Sequence, residues 1–311
     1  MIESFEERKN AAMHFLKGSS FEFAALVGLS ALAMSLSAQT PAPAPFTAHQ
    51  LKPNVYWIEG GGGNSGVIIG DKGVIVIDAK TTLAGGKELL DDIAKITPKP
   101  VTTVILTHSD GDHVNGLAAF PVGITIIAHQ NNRKEQEAAL AAGGRGAPPA
   151  GHLPTQVVTK NKESLKIDGV KLEVLHWAPA HTSGDLVVFL PGEKIAFTGD
   201  IIAAQLPDPL IHLEKNGSSE GWIKTTQGIV GLGADQFVPG HGAVQTKADI
   251  QGRLTRAEEK RAKIKELVAQ GKSLDEIRSA VGDPAPAAPT GRGPGFPTFT
   301  EVVYKELTKQ S

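Results

Sequence analysis

Between residues 55 and 242 the apolar positions fall into short runs punctuated by Gly, Asp and Pro. Val- and Ile-rich runs at 66–70 and 73–79 flank Asp71-Lys72, which predicts a β-hairpin. Leu89, Leu90, Ile93 and Ile96 recur at helical spacing and predict an amphipathic helix over 87–96. A strand over 101–107, a helix from 114 to 120, a strand over 124–128, a helix over 131–142 and a Gly/Pro-rich loop over 143–151 follow. The second half repeats the style. Strand pairs at 165–167 and 170–175, and at 186–190 and 194–198, surround Asp168-Gly169 and Pro191-Gly192-Glu193. A helix over 219–232 and a short strand at 236–238 come next. Ile250, Leu254, Ala257, Ile264, Leu267 and Val268 stripe a long helix over 246–270, and Ser273 with Glu276 marks a capped helix start. A Pro/Gly/Ala-rich loop at 283–297 precedes a last helix at 300–309. Strands, helices and strands in each half predict an α/β sandwich, with two sheets face to face and helices outside.

The N-terminus has another character. Arg8, Lys9 and Lys17 precede an apolar stretch at 24–36 that ends in Ser37 and Ala38. This is the order of a secretory signal peptide, expected over 1–38, with Met13 as an alternative start. The stretch falls short of the roughly 20 apolar residues that span a bilayer, so no stable membrane span is expected after cleavage. Residues 39–50 read as a Pro/Ala-rich linker, 51–250 as the main domain, and 251–311 as C-terminal helices packed on it. The expected address is periplasmic or secreted.

Composition narrows the chemistry. The 311 residues carry a formal net charge of −2, so no basic field points to nucleic acid, and none is expected as a partner. A small-molecule substrate is expected instead, and the oligomeric state stays open. Cysteine is absent, so any metal must be held by His, Asp or Glu. Four clusters offer such donors at predicted strand ends. They are Thr107-His108-Ser109-Asp110-Gly111-Asp112-His113, Ala180-His181-Thr182-Ser183-Gly184-Asp185, Thr198-Gly199-Asp200, and Pro239-Gly240-His241-Gly242. One His beside a Gly carries little weight; four clusters in this order point to a metal site.

These clusters resemble the metallo-β-lactamase superfamily over about residues 55–242. That family's first motif is His-x-His-x-Asp-His, followed by later His, Asp and Pro-Gly-His-Gly positions. The resemblance implies an αββα four-layer sandwich, here with a helical C-terminal extension, and a site at one edge. It implies two zinc ions, one on His108, Asp110 and His181 and one on Asp112, His113 and His241, with Asp200 bridging. Asp78 matches a further family position and is expected to brace the site. A metal-activated water, its pKa lowered towards about 7, would be the nucleophile, and Asp112 would orient it. His212 lies in the segment 206–217 that crosses the pocket in this family. It is the second expected catalytic residue, as substrate contact or acid.

The chain departs from the motif at Asp110, which stands where the family has its second His. A third carboxylate offsets more of the metal charge and raises the expected pKa of the water. Its harder oxygen would let that site take manganese or iron. Alternatively the shorter side chain fails to reach, leaving one metal on Asp112, His113 and His241. Among the remaining residues, 60–63 read as a mobile glycine loop, His152 and His176 as structural, and the amides at 216–219 as a helix start able to bind a substrate carboxylate. The expected function is an exported metal-dependent hydrolase of a small amide or ester, β-lactam or lactone-like. A phosphoester or sulfate ester hydrolase comes second. A non-hydrolytic metal-binding or redox accessory protein is the alternative of another class.

Overall fold

A computed structural model describes residues 45–143, 147–283 and 296–308. The expected signal peptide and most of the Pro/Gly/Ala-rich loop lie outside the described residues.

Two sheets form the centre. The first contains β1 (Thr47–Lys52), β2 (Val55–Glu59), β3 (Ser65–Ile69), β4 (Val74–Ile77), β5 (Val101–Ile105), β6 (Thr125–His129) and β7 (Gln156–Val158), paired in sequence order. It is antiparallel up to β4 and parallel from β4 to β7. The second contains β8 (Lys162–Ile167), β9 (Val170–Leu175), β10 (Val187–Leu190), β11 (Ile195–Ala203) and β12 (Gln236–His241), with only β11 and β12 parallel. The sheet starts inside the stretch read as linker, since β1 begins at Thr47.

The period-two alternation of strands explains why Val and Ile fill these segments without polar interruption. On β4, Ile75 and Ile77 face the second sheet while Val74 and Val76 face the outer helices. On β5, Ile105 faces inward and Val104 outward. The inner layer meets Leu172, Val174, Val188, Phe197 and Val238 of the second sheet. Outside the first sheet, Leu89 and Ile93 of α1 (Leu83–Ile96) cover Val74 and Val104. Outside the second, Trp222 and Ile229 of α4 (Ser219–Gly231) join Ile250 and Leu254 of α5 (Lys247–Ala269). Ile277 of α6 (Leu274–Val281) and Val302 and Val303 of α7 (Phe299–Thr308) extend that layer. Three apolar layers between four structural ones make the αββα sandwich with its helical extension.

Two short helices complete the frame: α2 (Gly111–Val114), which runs into a 3₁₀ turn over Asn115–Ala119, and α3 (Gln130–Ala142). The predicted helix at 114–120 is therefore split, and its α-helical part starts earlier, at the first ligand cluster. The predicted strand at 194–198 is also longer. It continues through Asp200 because Gly199, at φ +52°, takes up a register shift against β12 that keeps the pairing alive.

Candidate metal centre

Strand β5 delivers the first cluster. After Ile105 the chain leaves the sheet, and Asp110 caps the one-turn helix that carries Asp112 and His113. Asp78, at φ +59° just past the neighbouring strand β4, anchors this turn. Its Oδ1 accepts from Thr107 N at 2.8 Å, and its Oδ2 accepts from Thr107 Oγ1 at 2.6 Å and sits 2.8 Å from His113 Nδ1. With both oxygens occupied, Asp78 orients ligands and is not free to be one. The 60–63 loop, expected to be mobile, is pinned here. Gly63 N donates to Asp112 O, Thr81 N and Oγ1 donate to Gly61 O, and the buried Lys80 Nζ donates to Gly63 O. A Cβ at Gly63 would overlap the His113 ring, so only glycine fits.

The second sheet brings the opposing half. Asp185 accepts from Ala180 N, Thr182 N and Thr182 Oγ1, which folds the loop around His181. Burial pushes the Asp185 carboxyl up to about 7. His181 Nδ1 sits 2.9 Å from Leu210 O. Asp200 projects from within β11 rather than from a strand end, and His241 closes β12. A Cβ at Gly240 would collide with Asp200 Oδ1. Asn64 ties the two sheets at this rim: its N donates to Gly240 O, and its Nδ2 to Pro239 O and Gly242 O.

The donor atoms converge. His113 Nε2 lies 3.3 Å from Asp200 Oδ1, and His241 Nε2 lies 3.4 Å from Asp200 Oδ2 and 3.0 Å from Asp112 Oδ2. His181 Nε2 lies 3.9 Å from Asp200 Oδ2 and 3.1 Å from Asp110 Oδ2, and His108 Nε2 is 3.8 Å from the same Asp110 oxygen. Ligand atoms about 2.0–2.2 Å from a tetrahedral zinc stand roughly 3.4 Å apart, so these spacings suit metal ligation. Asp112, His113 and His241 form one group with atoms mutually within 4.8 Å, and His108, His181 and Asp200 form another. Asp200 reaches both groups: its Oδ1 and Oδ2 approach His113 and His241, and its Oδ2 also approaches His181.

The chemistry of the donors agrees with the spacing. His108 Nε2, His113 Nε2 and Asp200 Oδ1 are buried without a hydrogen-bond partner, a costly arrangement unless a cation fills it. The other nitrogens of His108 and His113 lie beside Thr107 Oγ1 and Asp78, which fixes the rings with Nε2 directed at the centre. Two His/Asp sets side by side are consistent with a binuclear metal centre.

Without ions, protons take their place. Burial disfavours charge on His181, but the Asp110 and Asp200 carboxylates raise its pKa to about 9. Burial is likewise outweighed at His241, which Asp112 and Asp200 raise to about 9, and at His113, which Asp200 and Asp78 hold well above the imidazole range. His108 goes the other way, held well below that range by burial and by the neighbouring His113. The same imidazoles overcome burial at Asp110 and Asp200 and keep both carboxyls well below the usual range.

Asp110 has surroundings that the sequence does not reveal. Lys215, in the segment before α4, places Nζ 3.0 Å from Ser109 Oγ, and Glu135 of α3 accepts from Ser109 Oγ at 2.6 Å and Ser183 Oγ at 2.7 Å. His212 Nε2 lies 3.3 Å from Asp110 Oδ2. A cavity of about 400 Å³ opens beside this cluster, lined in part by Asp110, Asp112, Glu135, His212, Lys215 and Phe296. Asp112 is the ligand carboxylate that faces it most openly, with its side chain 34% exposed against 12% for Asp110 and 4% for Asp200.

Other sequence-marked residues lie elsewhere. His152 bonds Phe120 O, and His176 pairs with Asp185 O and stacks on His129. The helix start at 216–219 does bind a carboxylate, but the chain's own: Ser219 N and Oγ donate to Glu306 of α7. It is not open to a substrate.

Comparison with known proteins agrees with this geometry. The sequence profile of the metallo-beta-lactamase superfamily matches residues 58–241, more than half of the chain. A 2,4-dinitroanisole O-demethylase subunit alpha from Nocardioides sp. (strain JS1661) is 27% identical over 197 residues, covering 63% of this chain and 57% of that protein. A metallo-beta-lactamase type 2 from Bacillus sp. (strain 170) is 29% identical over 191 residues, 59% of this chain and 68% of that one. Among solved structures, an inverting sec-alkylsulfatase from Pseudomonas sp. superposes with TM-score 0.64 at 16% identity, over 86% of this chain and 51% of its own. A metallo-beta-lactamase from Pontibacter korlensis gives TM-score 0.59 at 20% identity, over 68% and 99%. The chain thus spans little more than half of the demethylase subunit and of the alkylsulfatase. With the motifs, the αββα layers and the paired His/Asp sets in agreement, the chain belongs to the metallo-β-lactamase superfamily.

Proposed function

We propose that this protein is an exported metal-dependent hydrolase that cleaves a small, uncharged amide or ester, with a lactone-like ring ahead of a β-lactam. When bound, the ions activate water near neutral pH and polarise the scissile carbonyl. The chain's residues supply the rest. The His and Asp sets hold the ions, Asp112 orients the water from the open side, and the cavity excludes bulk solvent from one face of the substrate.

The observation that carries the substrate class is the charge of the cavity wall. Its volume of about 400 Å³ suits a small molecule. Among the described lining residues Lys215 is the only Lys or Arg, and its ammonium is already committed to Asp110. Asp112, Glu135 and Glu214 line the same cavity, so an anionic sulfate, phosphate or β-lactam carboxylate gains no free cation from the protein. The demethylase relative motivates including an aryl ether in the test.

The test is a substrate panel on metal-loaded and chelated protein: a γ-lactone, an aryl acetate, a chromogenic cephalosporin, aryl phosphate, aryl sulfate and 2,4-dinitroanisole. Metal-dependent turnover highest on the lactone or ester is expected. Preference for sulfate or phosphate would reject the substrate class, and iron with redox activity but no hydrolysis would reject the hydrolytic reading.

A further inference from the structure

We infer that His212 is a metal ligand, supplying from a distant loop the imidazole that position 110 lacks. The inference rests on the metal-dependent reading of the site and on no particular substrate.

Four observations carry it. First, His212 is buried, its side chain 5% exposed, and its Nε2 is an unpartnered atom 3.3 Å from Asp110 Oδ2. One donor atom each from Asp110, His181 and His212 lie mutually within 4.8 Å, the same closeness as in the His108, His181, Asp200 and Asp112, His113, His241 sets. Second, the opposite ring nitrogen, Nδ1, lies 2.8 Å from Glu214 Oε1, close though poorly angled. The contact places a carboxylate beside the nitrogen that faces away from the site, where a ligating histidine carries its supporting group; at His113 the same relation to Asp78 is a full hydrogen bond.

Third, the backbone fixes His212 to an established donor. His212 N donates to His181 O at 2.8 Å, Gly217 N donates to His212 O at 2.9 Å, and His181 Nδ1 faces Leu210 O. The two rings therefore keep their relation at 4.6 Å between centroids, and Phe296 closes the outer side of His212 at 4.3 Å. Fourth, Asp110 is only half available, because Lys215 holds its Oδ1 and leaves Oδ2 for a metal. His212 restores to this position a third imidazole beside His108 and His181. A general acid at this place would need an open path to the leaving group, and the Nε2 instead points at a carboxylate oxygen inside the donor cluster.

The experiment is metal counting and chelator competition on the purified chain with Zn²⁺, for wild type, His212→Ala, His212→Gly with added imidazole, and the double variant Asp110→His with His212→Ala. Wild type is expected to hold two ions. His212→Ala should keep one and weaken the other by at least about 100-fold, the upper range for disturbing a metal's supporting residues. Imidazole or the Asp110→His background should recover the second ion. Both ions bound by His212→Ala at wild-type affinity would overturn the inference. So would a loss that neither imidazole nor Asp110→His recovers. Should the variants fold poorly, the wild-type chain loaded with Co²⁺ gives an independent reading. His212 ring protons should show the large contact shifts of a ligated imidazole, and through-space shifts alone would overturn the assignment. A wild-type chain that takes up no ion would overturn this inference and the proposed function together, which separates the two failures.

Discussion

Lys215 Nζ lies 2.5 Å from Asp110 Oδ1, so the carboxylate that departs from the family motif meets its own counter-charge. From sequence, Asp110 adds a negative charge to the centre and raises the pKa of the activated water. The ammonium offsets that charge locally, and the ion pair sits in a half-buried setting where its field is only partly screened.

Replacing Lys215 with Met should therefore move the acidic limb of the kcat/KM profile to higher pH. A unit charge about 6 Å away at an effective dielectric near 20 is worth about 2.8 kcal/mol, a shift of up to about two pH units. The profile on the best panel substrate checks it; an unmoved limb would show that the pair is structural.

Asp78 should matter through His113 and Thr107. Asp78→Asn keeps a side chain that tolerates φ +59° and should lower metal affinity by roughly 10–100-fold, read by chelator competition. Asp78→Ala should add about 1 kcal/mol of instability from the left-handed backbone, read as a lower denaturation midpoint. Wild-type affinity in both variants would remove Asp78 from the metal's support.

Metal uptake should release protons. His181 and His241 are raised to about 9 and His113 is held well above the usual imidazole range in the metal-free chain, whereas ligation needs neutral imidazoles. At pH 7.5 a Zn²⁺ titration in weak buffer with an indicator dye should acidify the solution, and affinity should climb with pH until about 9. A release near zero at pH 7.5 would contradict this protonation pattern.

Lys80 should set a pH slope of stability. Burial, only partly opposed by Asp78 and other carboxylates, lowers its pKa from 10.5 to about 7. Between those values the unfolded chain binds more protons, so stability rises with pH from about 7 to 10.5; the cost of burying the Lys80 ammonium is full below 7 and is relieved towards 10.5. The neutral amine still has hydrogens for Ile58 O and Gly63 O. The stability of wild type relative to Lys80→Met should rise from about pH 7 towards alkaline pH and stay flat below 7, read from denaturation midpoints; parallel curves would sink the prediction.

The ligand clusters were readable because each packs its chemistry into a few consecutive residues at a turn with glycine. The sandwich was readable because its strands carry unbroken Val/Ile runs that only a doubly buried sheet requires. Other parts had no such signal. Strand β1 alternates exposed and half-buried residues and has no apolar run, and β7 is three residues long. The passage of β11 through Asp200 depends on a register shift that Gly199 permits but does not announce. Glu135, Lys215 and Asn64 belong to no motif; each acquires its role by meeting a residue far away in the chain, as Lys215 does with Asp110. For His212 the sequence supplied a location over the pocket, while its neighbours Asp110 and His181 came from the fold.

The donors are divided between layers: His108, Asp110, Asp112 and His113 follow a strand of the first sheet, whereas His181, Asp200 and His241 belong to the second. Apolar packing between those sheets is non-directional and tolerates sliding. An ion gripped from both sides is a transverse cross-link that opposes shear, with the Asn64 bonds as a second tie along the same seam. The atoms that would activate water are thus also the atoms that set how one sheet lies upon the other.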